Sequence, residues 1–286
     1  MTTKSMSGRT CVVTGATSGI GKETARALAM AGARTVIVGR SRQKCEAVAG
    51  ELRSIPGGAD VEYLVADLTS RDDVRRVAKE ILDRCPQLHV LVNNAGAVFA
   101  KRQESVDGVE LTWALNVLAP FLLTNLLLER LAASAPARIV NVSSAAHRWG
   151  RMNFEDLQRR KGYGGFRVYG QSKLALLLFT YELARRLDGS GVVVNAVHPG
   201  LVRTGFGMNN TAVYRAGVKF ANFFGGLSPE EGARTVIYAA MSPEVDGVTG
   251  KYFSRGRPIK SSKASYDIEP SRRLWSVCEE MVGLGK

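Results

Sequence analysis

Residues 10–24 read Thr10–Cys11–Val12–Val13–Thr14–Gly15–Ala16–Thr17–Ser18–Gly19–Ile20–Gly21–Lys22–Glu23–Thr24. A short β-branched run enters a turn with three glycines, and a helix-forming stretch follows. Glycines let the backbone turn tightly and bring N–H groups close to an anionic ligand, and the helix N-terminus adds a partial positive charge. A strand, a glycine-rich turn and a helix in that order predict a pyrophosphate-binding first βα unit. The spacing is G-x-x-x-G-x-G, which differs from the G-x-G-x-x-G of longer-chain dehydrogenases.

Further runs of the same kind follow outward from this unit. Candidate strands are Thr35–Gly39, Val61–Ala66, Val90–Asn93, Arg138–Val142 and Val192–Val197, with a last one near Gly250–Phe253. Several are continuously apolar, as parallel strands covered on both faces should be. Lys22–Met30, Arg42–Arg53 and Asp72–Asp83 read as helices between them. The alternation predicts one α/β, Rossmann-like, doubly wound domain over residues 1–286, with a seven-stranded, mostly parallel sheet flanked by helices. Its cofactor half should cover about residues 8–145, and its catalytic and substrate-side half residues 146–286. Two stretches interrupt the pattern, Arg148–Arg167 and Leu201–Leu227, and both follow strand ends where open α/β sheets bind ligands.

The composition excludes several classes. The chain carries 39 Lys and Arg against 26 Asp and Glu, a formal charge of +13. Most bases are interleaved with acids along helices, and only Arg255–Lys263 looks like a basic patch, so no nucleic-acid partner is expected. The four cysteines and three histidines are dispersed, which argues for reduced thiols, a cytoplasmic setting and no metal site. Met1–Arg9 has no apolar run, and Leu115–Leu128 is too short for a bilayer, so no integral membrane segment is expected.

With these motifs in place the sequence resembles the short-chain dehydrogenase/reductase family. The turn Gly15…Gly19–Ile20–Gly21 is similar to that family's cofactor turn, and Asn93–Asn94–Ala95–Gly96 to its fourth-strand motif. Tyr169–Gly170–Gln171–Ser172–Lys173 is similar to its Tyr-x-x-x-Lys pair, and Pro199–Gly200 with Val202 and Thr204 to the segment over the nicotinamide. Within the family the likeness is to the retinol dehydrogenase-like branch. It is carried by Asn141–Val142–Ser143–Ser144–Ala145–Ala146–His147, by Asn153–Phe154–Glu155–Asp156–Leu157, by Gly250–Lys251–Tyr252–Phe253 and by Arg273–Leu274–Trp275.

The resemblance implies a catalytic set of Asn116, Ser144, Tyr169 and Lys173, with Asn116 holding a water and Ser144, not Ser143, supplying the active hydroxyl. It implies cofactor contacts from Gly15, Thr17, Ser18, Gly19, Ile20, Gly21, Arg40, Asp67, Leu68, Asn94, Ala95, Gly96, Tyr169, Lys173, Pro199, Gly200, Val202 and Thr204. On the substrate side, Ser144, His147, Met208 and Phe220 are candidates. His147 reads as a structural or loop residue in preference to a proton-transfer group, since Tyr169 already fills that role.

The chemistry fits these residue types. Carbonyl reduction puts negative charge on oxygen as hydride reaches carbon, and a proton must follow. A phenol with a pKa of about 10 is poorly matched to that task at neutral pH. Lys173 lies one helical turn after Tyr169 and places an ammonium on the same face, which lowers the phenol pKa. The second strand ends Val38–Gly39–Arg40, so glycine stands where an NAD-binding acid would sit and a guanidinium follows. That predicts NADP(H) over NAD(H). The expected function is an NADP(H)-dependent oxidoreductase interconverting a ketone or aldehyde and an alcohol on an apolar small molecule, as a possible homo-oligomer. The alternative is a non-catalytic dinucleotide sensor or scaffold that kept the fold.

Overall fold

The computed structural model describes residues 5–56, 60–203 and 226–284. Met208, Phe220 and Thr204 lie outside them. The strands are β1 (Thr10–Thr14), β2 (Arg34–Gly39), β3 (Val61–Val65), β4 (Val90–Asn93), β5 (Ala137–Val142), β6 (Val192–His198), β7 (Tyr252–Ser254) and β8 (Arg257–Ile259). They form one sheet in the order β3-β2-β1-β4-β5-β6-β7-β8. Each neighbouring pair is parallel except β7 and β8. The sheet therefore has eight strands where seven were expected. The extra strand folds back through Arg255 and Gly256, both at positive φ, and carries Pro258. It is short, basic and at the sheet edge, where a proline's missing N–H costs nothing. Read as sequence, it passed for a basic patch.

Side-chain alternation along the strands divides the core in two. Val12, Val36, Val38, Leu91 and Ile139 face one layer, and Cys11, Val13, Ile37, Val92 and Val140 face the other. On the first face lie α3 (Arg71–Arg84), α4 (Leu111–Ala133), α5 (Gly165–Arg186) and α7 (Ile268–Val282). On the second lie α1 (Gly19–Met30), α2 (Arg42–Arg53) and α6 (Pro229–Met241). Helix starts follow local chemistry. Ser41 and Ser70 accept from the Lys44 and Asp73 N–H groups, and Ser228 with Glu231 forms a capping box ahead of α6.

The apolar run in α4 belongs to a 23-residue helix, longer than the sequence reading allowed and long and apolar enough to cross a bilayer. Here it is a core helix: Phe121, Leu122, Leu123, Leu127 and Leu131 are buried beneath α3, α5 and α7. Helix α7 closes this layer. Trp275 packs on Phe121 and Phe179 with ring centroids 5.0 and 5.9 Å apart.

Candidate active site

The turn after β1 forms because its glycines have no alternative. Gly15 and Gly19 adopt positive φ (65° and 56°), which L side chains rarely tolerate. A Cβ on Gly15 would lie 2.8 Å from the Ala95 Cα, and one on Gly21 would lie 2.5 Å from the Gly15 carbonyl oxygen and against the Asn94 amide. Asn94 holds this contact: its Nδ2 donates to the carbonyls of Thr14 (2.8 Å) and Gly15 (3.2 Å). Thr14 contributes too. Its hydroxyl accepts from the Asn94 and Ala95 N–H groups at 3.0 and 3.1 Å, so β1 and β4 end in one cross-braced turn. Sequence reasoning placed Thr14 in the motif without giving it that part; its position before Gly15 was the available signal.

Ser18 stands at the N-cap of α1 in extended conformation with no side-chain cap bond. Gly39 ends β2 in a place with no room for a side chain, since a Cβ there would lie 2.5 Å from Thr17 Cγ2 and 2.8 Å from Cys45 Sγ. The next residue, Arg40, is exposed and has no hydrogen bond or ion pair among the described residues. Lys22, by contrast, is taken by Glu51 at 2.7 Å. Asp67 lies at the same edge, its Oδ1 accepting from the Thr69 N–H and hydroxyl. The Leu68 side chain turns into the core at 8% exposure, which leaves only its main chain for a ligand. Beyond β6, Gly200 sits at φ 93°, and Val202 pairs with Leu227 across the ends of the substrate-side segment.

The catalytic candidates gather at the carboxyl ends of β4 and β5 and on α5. Lys173 is buried, and its Nζ donates to the Val142 carbonyl at 2.9 Å and lies 5.6 Å from the Tyr169 ring centroid. Burial pushes its pKa down to about 8, so the ammonium stays mostly charged at pH 7. A Cβ at Gly96 would come within 3.5 Å of Lys173 Nζ and 3.2 Å of Asn116 Oδ1, so Gly96 keeps the space over both open. Asn116 lies in a π-helical turn of α4, Ala114–Leu118. Its amide brackets Ala97, accepting from its N–H (2.9 Å) and donating to its carbonyl (3.0 Å), and also donates to Ser172 Oγ. Both amide hydrogens and one acceptor position of Oδ1 are thus used within the protein.

Ser143 and Ser144 have different surroundings. Ser143 is 2% exposed and donates to the Lys173 carbonyl at 3.2 Å. Ser144 is half-buried, and its Oγ accepts from the Ala146 N–H at 3.2 Å, leaving the hydroxyl proton available. Ser144→Ala is expected to lower kcat about a hundredfold, the cost of one oxyanion donor. Ser143→Ala should instead reduce stability by about 1 kcal/mol with kcat nearly intact. Steady-state rates and melting curves on both variants check this, and the opposite ranking would reassign the hydroxyl.

His147 takes the structural place, not that of a substrate contact. It is fully buried and both ring nitrogens are engaged inside the protein, so it offers no contact to a substrate. Its imidazole bridges the turn after β5 and the segment after β8. His198 is also kept neutral: burial, then the nearby His147, Arg148 and Arg255, push its pKa down to about 4.

The short chain dehydrogenase family profile matches residues 9–214. This chain belongs to the short-chain dehydrogenase family. As such it is an oxidoreductase of the kind that binds a nicotinamide dinucleotide. Its relatives place it in the retinol dehydrogenase-like branch. It is 42% identical to mouse retinol dehydrogenase 14, covering 98% of this chain and 88% of that one. With human retinol dehydrogenase 11 it shares 41% identity over 99% and 88% of the two chains. Among solved structures, an uncharacterised protein of Mycobacterium paratuberculosis superposes with a TM-score of 0.79 at 36% identity, covering 99% of this chain and 96% of that one. The Pseudomonas aeruginosa RhlG/NADP complex superposes with a TM-score of 0.70 at 31% identity, covering 87% and 95%. The turn, closed to a Cβ at Gly15 and at Gly21, fits the cofactor of this short-chain dehydrogenase family.

Proposed function

We propose that this short-chain dehydrogenase interconverts a carbonyl and an alcohol on an apolar small molecule and prefers NADP(H). The bound dinucleotide would supply or accept the hydride. The remaining work falls to the chain's own side chains. Tyr169 passes the proton to or from the substrate oxygen, Ser144 donates a hydrogen bond to that oxygen, and Lys173 lowers the phenol's pKa by its charge. The observation that carries the catalytic part is the buried Lys173 ammonium fixed by Val142 against the Tyr169 ring. The names of the relatives make all-trans-retinal the first substrate to try, with decanal as a simpler apolar aldehyde.

The cofactor preference rests on the end of β2. A carboxylate that would bond both ribose hydroxyls and repel a 2′-phosphate has no room at Gly39. Arg40 is exposed there and without a partner among the described residues, and a guanidinium gives a phosphate charge-assisted, bidentate hydrogen bonds. The expected margin in kcat/KM for NADPH over NADH is at least about tenfold, or roughly 1.4 kcal/mol. Arg40→Asp should erase most of it. Equal use of NADH by the wild type would overturn the preference while leaving the reaction class in place.

A further inference from the structure

One histidine joins the Ser144 turn to a distant part of the chain. His147 Nδ1 lies 2.6 Å from the Ser144 carbonyl oxygen, which accepts from the His147 backbone N–H as well, at 3.2 Å. An oxygen acceptor at that distance requires hydrogen on Nδ1. The other nitrogen, Nε2, accepts from the Ser262 N–H at 3.0 Å, so it must be bare. The two bonds together define one neutral tautomer. The ring is fully buried and edge-on to Tyr252, with centroids 5.0 Å apart. Burial, and secondarily the Arg148 charge, disfavour a second proton.

Both ends of this link matter to the site. The direction of the Ser144 carbonyl sets that residue's ψ, 157°, and so fixes its Cα and Cβ relative to the turn that follows. Ser262 belongs to a strap, residues 260–266, fastened to α5 by the Tyr181 hydroxyl on Ser261 Oγ at 2.7 Å. The strap is closed on itself by Ser261–Ser265 and Ser265–Ser262 bonds of 2.7 and 2.6 Å. Arg148 adds a second tie, Nη2 to the Lys260 carbonyl at 2.9 Å. Helix α5 carries Tyr169 and Lys173, so the strap references the Ser144 turn to the helix that bears the other two groups.

We propose that His147, in its Nδ1–H form, is a positioning residue that orients Ser144 and locks it in register with α5 through the 260–266 strap. The inference rests on the catalytic reading of Ser144 given above.

Asparagine and glutamine separate the two nitrogens, because an Asn amide reaches the Nδ1 position and a Gln amide the Nε2 position. With NADPH and decanal, His147→Gln and His147→Ala are expected to lower kcat about tenfold, as for loss of one orienting hydrogen bond, with KM values little changed. His147→Asn should stay within about threefold of wild type, since it keeps the donor to Ser144. In a Ser144→Ala background His147→Gln should cost nothing further, because there is no hydroxyl left to orient. A purely structural role predicts instead that the two losses multiply, and that result overturns the proposal, as does a wild-type rate for His147→Gln when Ser144→Ala is impaired. If Ser144→Ala itself turns over normally, the catalytic reading fails first and takes this inference with it. For variants that do not fold, imidazole nitrogen shifts of the wild-type protein at pH 7 decide the matter: hydrogen on Nδ1 is expected, and an Nε2–H or charged His147 ring refutes it.

Discussion

Tyr169→Phe is expected to lower kcat about a thousandfold or more while the affinity for NADPH changes less than about threefold. The change removes one oxygen and keeps the ring, so the packing near Lys173 and the position of α5 should persist. Lys173 remains held by the Val142 carbonyl, 2.9 Å from its Nζ, independently of the phenol. What disappears is the proton donor that neutralises the growing alkoxide, and neither His147 nor the Asn116 amide can take its place. His147 is fully enclosed, and the Asn116 amide is engaged by Ala97 and Ser172. Stopped-flow reduction of decanal, with fluorescence titration of NADPH, measures the two quantities separately. Near-native turnover by the Phe variant would show that the proton takes another route.

The second large effect should come from a single methyl group. In Gly21→Ala the new Cβ would meet the Gly15 carbonyl oxygen at 2.5 Å and press on the Asn94 amide. Neither obstacle can swing aside, because one is backbone and the other donates to the Thr14 and Gly15 carbonyls. The first turn of α1 must therefore move away from the ends of β1 and β4, and the phosphate-binding N–H groups move with it. Overpacking of this kind costs about 1–3 kcal/mol of stability. NADPH affinity should fall about a hundredfold or more, given the dependence of pyrophosphate binding on aligned amides. Gly50→Ala is the control. Gly50 lies in α2 with nothing within 4 Å of an added Cβ, so it should stabilise the protein by up to about 1 kcal/mol and leave binding unchanged. Isothermal titration and thermal melts on the pair would expose the error if both variants bound NADPH alike.

Much of this was legible in the sequence because parallel, doubly covered strands leave a strong mark. The runs that became β1, β4 and β5 are mostly apolar, and their ends fell within a residue or so of the structure. The glycine turn was legible for a related reason, since glycine accepts φ near +60° without strain and leaves room for a backbone packed against it. What escaped was the interior's polar wiring. Asn93 reaches both Thr124 and Asn141, and Asn141 goes on to Thr180, tying β4 and β5 to α4 and α5. Such bonds join residues up to 48 positions apart in sequence, and no local spacing records them. His147 read as structural, but its candidacy as a substrate contact failed for the same reason: its partner Ser262 is 115 residues away. Strand β8 was missed because three residues, two of them exposed and one of those proline, carry no alternation to detect.

Helix α7 bears on how the chain is made as well as on how it rests. It emerges from the ribosome after every other described element, yet it covers Phe121 and Phe179 through Trp275. Its last turn is tied to α3, where Arg71 donates to the Met281 carbonyl and Arg75 to that of Val282. During synthesis, then, the sheet and the other helices can assemble while one flank of α4 and α5 stays bare. That flank is greasy and continuous, the kind of surface chaperones hold and stray chains stick to. Crowded translation should make this interval the hazardous one, and a fusion placed ahead of α7 would prolong it.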